Sequence, residues 1–221
     1  KPDYALESHD AEHHVRCDGK SFRVLVNECR DHASFLTFRD EQDVRDRWWN
    51  VQPGDIVLDA GAAYGSYSLP ALCRGAAHVY AWSPPGAYPT EPVEGWVMGK
   101  SLALNGWQDR CTLFHTGLWN EPGWLVVFDR GRPSEFFATE AEAMVVVAEN
   151  YILGEFGHVS LIELGTIDAT LDIPRADWLK IDAESAEEQI LRGGEQLIRR
   201  CHPKILLEHH TFILPDCEKK E

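Results

Sequence analysis

Basic residues are scarce in this chain of 221 residues: 21 Lys and Arg stand against 36 Asp and Glu, a formal net charge of −15 with histidine neutral. Such a surface repels phosphate backbones. No run of Lys and Arg is dense enough to form a local patch, so a nucleic-acid partner is not expected. Long apolar runs are also missing. The longest stretches are strand-length, too short for a membrane span. No signal-peptide pattern is visible. The six cysteines, Cys17, Cys29, Cys73, Cys111, Cys201 and Cys217, include no C-x-x-C pair. Scattered through a chain of this size they read as reduced, partly buried thiols, with disulfides the weaker reading, and the expected location is the cytoplasm. There is no internal repeat. What is present is an ordinary globular balance, 44% hydrophobic and 26% charged. That is enough for one α/β domain with an N-terminal extension over residues 1–50.

Patterning gives an outline. Lys1 to about Lys20 is polar and reads as a loose lead-in. Ser21 to Phe38 alternates (Phe22, Val24, Val26, then Phe35 and Phe38) and predicts a pair of strands. Asp40 to Asn50 places Val44, Trp48 and Trp49 at helical spacing, with the two tryptophans expected in the core. From Ile56 onward strands alternate with helices: strands at Ile56–Ala60, Ala77–Trp82, Cys111–His115, Leu125–Phe128, Val159–Leu164, Asp177–Asp182 and Lys204–Glu208. Ser83 to Pro92 is proline-rich and predicts an irregular loop. Asp129 to Asn150 lacks clear periodicity and predicts an excursion over the sheet face, while Glu184 to Arg200 predicts one helix. The alternation implies a doubly wound, mostly parallel sheet over residues 51–221.

The strongest local signal is Val57-Leu58-Asp59-Ala60-Gly61-Ala62-Ala63-Tyr64-Gly65. An apolar strand ends in an acid, and a small-residue turn then opens a helix. Gly61 permits a tight turn and close approach, and Gly65 sits where a side chain would collide. A dinucleotide site would read G-x-G-x-x-G, whose middle glycine admits a pyrophosphate. Here the pattern is D-x-G-x-x-x-G, which disfavours a nicotinamide-dependent oxidoreductase. Adenosylmethionine has no phosphate and carries a cationic sulfonium, so an acid at the strand end and an uncharged loop suit it better.

Further signals follow in order: Leu104-Asn105-Gly106, Thr170-Leu171-Asp172, then Lys180-Ile181-Asp182-Ala183-Glu184-Ser185-Ala186-Glu187 with Ile190-Leu191-Arg192-Gly193-Gly194, and finally Pro203-Lys204-Ile205-Leu206-Leu207-Glu208-His209. With Pro53-Gly54-Asp55 to Tyr67, this ordered set resembles the FkbM-type methyltransferases over about Asp40 to His210. The resemblance implies a Rossmann-like class I methyltransferase fold, S-adenosylmethionine as donor, and O-methylation of a hydroxyl, often on a sugar or a polyketide-like natural product. A catalytically weak binding module of the same fold is the alternative. The implied cofactor contacts are Asp59, Ala60, Gly61, Ala62, Tyr64, Gly65, Ser83, Pro84, Asn105 and Leu118. Trp119 is a further candidate near the adenine, or an ordinary buried aromatic. No metal is implied.

Four departures from the family pattern stand out. Where the family carries an acid and a proline after the second strand, this chain has Ser83-Pro84. Serine offers the ribose a hydrogen bond but not the two-point grip of a carboxylate. Glu91 and Glu94 are alternative sources of that charge. The family's loop asparagine is Ala63 here, and its glycine after Glu184 is Ser185. A full sheet of this class also carries two more strands beyond the fifth. Either the N-terminal strands complete it or the C-terminal hairpin is not within these residues. For catalysis a hydroxyl acceptor needs a base. Asp182 is the first candidate, with helix capping as its structural alternative. Glu184 and His209, at neighbouring strand ends, are the others.

Overall fold

The computed structural model describes residues 10–27, 38, 40–84, 94–128, 134–153 and 159–209. The chain enters as an antiparallel hairpin, β1 (Asp10–Cys17) and β2 (Lys20–Asn27), turned at Asp18-Gly19 where both residues have positive φ. The first strand thus forms within the polar lead-in, and residues 28–37, part of the expected strand pair, lie outside the described residues. The reason is alternation with few apolar residues. Glu12, His14 and Arg16 face solvent, while Val15 and Cys17 turn inward with Phe22 and Val24. This hairpin shares one hydrophobic core with Trp49, Val57, Leu69 and Met98.

Helix α1 (Gln42–Trp48) follows. Its inward face is not the one that the tryptophans suggest. Val44 and Trp48 lie one turn apart on the outer face, 41% and 61% exposed, while Arg45 and Trp49 point in. The Arg45 guanidinium donates to the Phe38 carbonyl and lies over the Tyr67 ring. Trp49 is fully buried, edge-on to Tyr67 and Trp178.

The central sheet is wholly parallel among the described residues. Its strands are β3 (Ile56–Ala60), β4 (His78–Trp82), β5 (Cys111–Phe114), β10 (Trp178–Ile181) and β11 (Lys204–Leu207), in the spatial order β11-β10-β3-β4-β5. This is the predicted doubly wound arrangement, with β3 and β10 side by side where the winding reverses. Helices α2 (Ser68–Arg74) and α3 (Glu94–Asn105) connect β3, β4 and β5. The hairpin β1–β2 pairs only with itself among the described residues and does not extend this sheet.

Two predicted strands belong elsewhere. Between β5 and β10 the chain builds a second sheet from β6 (Gly117–Leu118), β7 (Gly123–Phe128), β8 (Glu135–Phe137) and β9 (Val159–Gly165), ordered β6-β9-β7-β8 and antiparallel except for β6–β9. The expected excursion over Asp129–Asn150 contains β8 and helix α4 (Glu140–Leu153). Ala143, Val146 and Val147 of α4 pack on Val126, Phe128 and Leu161. Its capping turn is set by Thr139, whose N–H and hydroxyl both donate to Glu142 Oε2. Short α5 (Ile167–Thr170) returns the chain toward β10.

The single helix expected from Glu184 to Arg200 is two, α6 (Glu187–Gly193) and α7 (Glu195–Cys201). The break falls at Gly194, and beside it the helix end packs so closely that a Cβ on Gly193 would lie 2.0 Å from the Trp119 carbonyl oxygen. Asp168 of α5 then caps α7, accepting from the N–H groups of Gln196 and Leu197 at 2.9 and 2.8 Å.

Candidate active site

The turn after β3 is built on backbone geometry. Gly61 has φ +83, and a Cβ there would lie 1.7 Å from the Asp182 carbonyl oxygen. The glycine therefore lets two strand ends close on each other. The N–H groups of Gly61 and Ala62 both donate to the Trp82 carbonyl, at 3.1 and 2.8 Å, tying in β4 as well. At Gly65 (φ +88) an added Cβ would lie only 3.0 Å from Leu69 and Met98, tighter than side chains ordinarily pack.

Beneath this turn lies a charge cluster. Asp59 is fully buried; its Oδ2 accepts from the Ser68 hydroxyl at 2.6 Å. Its neighbour in register on β10 is Lys180, only 3% exposed. The Lys180 ammonium donates to the Gly61 carbonyl at 2.8 Å, stands 3.5 Å from Asp59 Oδ1 and 3.3 Å from Asp182 Oδ2, and lies over the Tyr67 ring. One cation thus joins the end of β3, the turn and the end of β10. Burying it is tolerable only because these oxygens surround it. Behind it, burial raises the Glu41 carboxyl above its ordinary range, and burial with the adjacent Glu41 raises the Tyr67 phenol.

The loop after β10 is strained. Glu184 and Ser185 have φ of 50 and 82, in the left-handed region. The Glu187 carboxylate holds the loop, accepting from Ser185 N–H at 2.9 Å and Ala183 N–H at 3.4 Å. Glu187 is buried at the first position of α6 and braces the loop before it; no side chain, Asp182 included, caps that helix.

Between this edge of the parallel sheet and the second sheet is a cavity of about 450 Å³. It lies at the reversal of winding, outside the carboxyl ends of the strands, where doubly wound sheets bind ligands, and its size suits a small molecule. Its floor comprises Gly61, Ala63, Trp82, Ser83, Pro84, Asp182 and Glu184, and Leu118, Trp119 and aliphatic residues of β7 and β9 close it. Ser83 is 1% exposed; its N–H donates to the Phe114 carbonyl at 2.9 Å, but its hydroxyl has no partner among the described residues. A buried hydroxyl left unpaired beside a cavity is a polar group awaiting one. The Trp82 indole N–H, also on this floor, is likewise unpartnered.

The structure therefore brings Gly61, Ser83, Pro84, Leu118, Asp182 and Glu184 together at the cavity. It does not bring the others there. Asp59, Ala60 and Ala62 are buried supports beneath the turn, and Tyr64 and Gly65 lie outside the lining. Asn105 is engaged elsewhere: its amide accepts from Arg23 N–H at 2.9 Å and donates to the Arg23 and Ser101 carbonyls at 2.6 and 2.7 Å. It fastens β2 to the end of α3 and does not line the cavity. His209 is exposed after β11 and does not line the cavity. Glu91 and His210 lie outside the described residues, as does the Glu94 side chain. Sequence reading passed over Lys180, although a lysine within the otherwise apolar Trp178-Leu179-Lys180-Ile181 is itself a signal. Ala63 was singled out only as a departure from the family pattern, and the aliphatic wall was passed over.

Comparison with known proteins adds the family. The model of the methyltransferase FkbM domain matches residues 59–218, well over half of the chain. No curated protein sequence matches significantly. Among solved structures, methyltransferase FkbM from Methylobacillus flagellatus KT aligns at 17% identity and a TM-score of 0.49, covering 74% of this chain and 35% of that one. Escherichia coli yhhF aligns at 17% identity and a TM-score of 0.34, over 48% of this chain and 53% of its own. Pyrococcus horikoshii PH0793 aligns at 19% identity and a TM-score of 0.35, over 50% and 37%. The chain thus spans about a third of the length of the Methylobacillus relative. With its doubly wound sheet and the match running from Asp59 through both strand-end acids, the chain belongs to the FkbM methyltransferase family.

Proposed function

We propose that this chain is an S-adenosylmethionine-dependent O-methyltransferase acting on a hydroxyl of a small molecule. The observation that carries this reading is the cavity at the β3–β10 junction, in a chain of this family, with two carboxylates and an unpaired hydroxyl on its floor. These residues fit the donor's chemistry. Ser83 offers its hydroxyl to a ribose, and Asp182 and Glu184 suit a cationic centre. When bound, adenosylmethionine supplies an electrophilic methyl group on a sulfonium leaving group.

The chain's own residues do the positioning. Lys180 fixes the Gly61 carbonyl and one oxygen of Asp182, so the floor is rigid before any ligand arrives. Glu184 is exposed at the mouth, makes no ion pair among the described residues and is held on strained backbone. We assign it the acceptor's hydroxyl proton, with Asp182 as the oriented carboxylate beside it. Glu184→Gln is expected to cut turnover about 10²-fold while leaving the affinity for S-adenosylhomocysteine, which has no sulfonium charge, unchanged. Near-normal turnover would return the base to Asp182. Calorimetry with S-adenosylhomocysteine and with NAD tests the donor itself. Binding of the former alone is expected, and its absence would overturn the proposal.

A further inference from the structure

The parallel sheet has one exposed apolar edge. Strand β11 pairs with β10 on one side and with no strand on the other among the described residues. The two further strands of a full sheet of this class are not among those residues, and the hairpin β1–β2 does not take their place. Natural sheets blunt such an edge with charge, proline or a cover. Here Ile205 and Leu207 are 43% and 40% exposed. At the opposite edge, β5, every residue is half-buried.

The ladder fixes which backbone groups face outward. The Lys204 N–H donates to the Asp177 carbonyl and the Glu208 N–H to the Ile181 carbonyl, both at 2.9 Å. These two residues spend their backbone groups on β10, and by alternation so does Leu206. Those of Ile205 and Leu207 point away from the sheet. The strand complements its own reversal. In an antiparallel pair centred on Leu206, Ile205 lies opposite Leu207 of a second copy, and each outward N–H meets an outward carbonyl. Lys204 then lies opposite Glu208 of that copy, an attractive cross-strand pair. Other alignments lose one match or the other. A shift of one residue sets outward backbone groups against inward ones. A shift of two in either direction sets Lys204 or Glu208 opposite Leu206 and breaks the ion pairs. Parallel pairing in register sets like charges side by side.

We infer that β11 is a homodimer interface: two copies pair antiparallel across a twofold axis at Leu206 and continue the sheet from one molecule into the other. The partner is a second copy because both the charges and the apolar positions of this strand match when it is reversed on itself. The strand is short, so the association is weak and needs high concentration. No β11 residue lines the cavity, so the pairing leaves the cavity open.

The test is the mass of the whole chain by light scattering across roughly 1 µM to 1 mM. The mass is expected to rise toward twice the monomer's. Lys204→Glu and Glu208→Lys each set like charges opposite one another and are expected to stay monomeric alone. An equimolar mixture of the two restores both opposite-charge pairs and should dimerise as the wild type does. Leu207→Pro removes an outward N–H and none of those that reach β10, and should also be monomeric. Thermal melting by circular dichroism checks that each variant is folded. A wild-type monomer throughout, single variants that dimerise normally, or a mixture that stays monomeric would each overturn the inference. Amide exchange of the wild type separates the other occupants. Protection of the Ile205 and Leu207 amides that grows with concentration is expected; the same protection in a monomer would assign the edge to this chain's own residues and overturn the dimer.

Discussion

Ala63 has φ 45, a conformation that costs a residue bearing Cβ roughly 1–2 kcal/mol. The family pattern that the sequence resembles implies asparagine there, a residue that tolerates that region. Ser185, at φ 82, stands where the same resemblance implies glycine. The two departures visible in sequence therefore share one physical consequence, strain at the two turns that frame the cavity. Ala63→Gly is expected to stabilise the protein by about 0.5–1 kcal/mol, since glycine's greater unfolded freedom returns part of the relief. Urea denaturation checks it; a lower midpoint at unchanged slope would show that the turn does not strain alanine. Lys180 is the larger residue-scale determinant. Lys180→Met would leave Asp59 buried beside no cation and is expected to cost about 3–5 kcal/mol. Adding Asp59→Asn should recover part of the loss in the same urea experiment. No recovery would mean that the lysine's packing, not its charge, supports the turn.

Two elements carry histidines whose titration is displaced. His78 opens β4 and shares a hydrogen bond of 2.8 Å with Thr112 of β5; burial, then the nearby Arg110 charge, lowers its pKa. His115 follows β5, and burial lowers its pKa as well. Both therefore stay neutral in the folded protein at a pH where the unfolded chain, near 6.5, takes up protons. The unfolded state binds more protons in that window, so stability should fall as pH drops below about 6.5. Glu41 works the other way. Its raised folded pKa favours proton uptake by the native state, which adds stability as pH falls toward its ordinary 4.5. Urea midpoints at pH 7.5 and 5.5 should thus decline toward acid, and His78→Gln/His115→Gln should flatten the decline. An unchanged slope in the double variant would place the titrating groups elsewhere. The elements also explain why the outline was only partly legible. Parallel strands such as Val57–Ala60 and Trp178–Ile181 are near-continuous apolar runs, easily found. Strands β7 and β9 look much the same in sequence because both faces are mostly apolar, with Ser160 and Glu163 the exceptions, and nothing local says that one face meets α4 and the other a cavity.

At the scale of the molecule, the cavity lies between two sheets that pair with different partners, so an occupant would touch both. A ligand there stabilises the folded state by mass action, about 2.7 kcal/mol at a hundredfold excess over its Kd. S-adenosylhomocysteine is accordingly expected to raise the thermal midpoint in a concentration-dependent way. A midpoint indifferent to it, beside a ligand-dependent rise with NAD, would contradict the donor assignment. Among the described residues no helix is long and apolar enough to cross a membrane.

The chain's local chemistry determined the strand–turn–helix at Asp59 to Gly65, the doubly wound alternation and the family resemblance, because each rests on neighbours within a few residues. Gly61 was legible as a required glycine. That its near neighbour is the Asp182 carbonyl was not, since 121 positions separate them and only the pairing of β3 with β10 brings them together. The same holds for Asn105, whose amide reads as a possible ligand contact until β2 packs on α3 and takes its hydrogen bonds. Tertiary structure alone decided which acid braces the loop and which faces the cavity. Glu187, Asp182 and Glu184 are interchangeable by chemistry, and only the strained loop that orients them sets their roles apart.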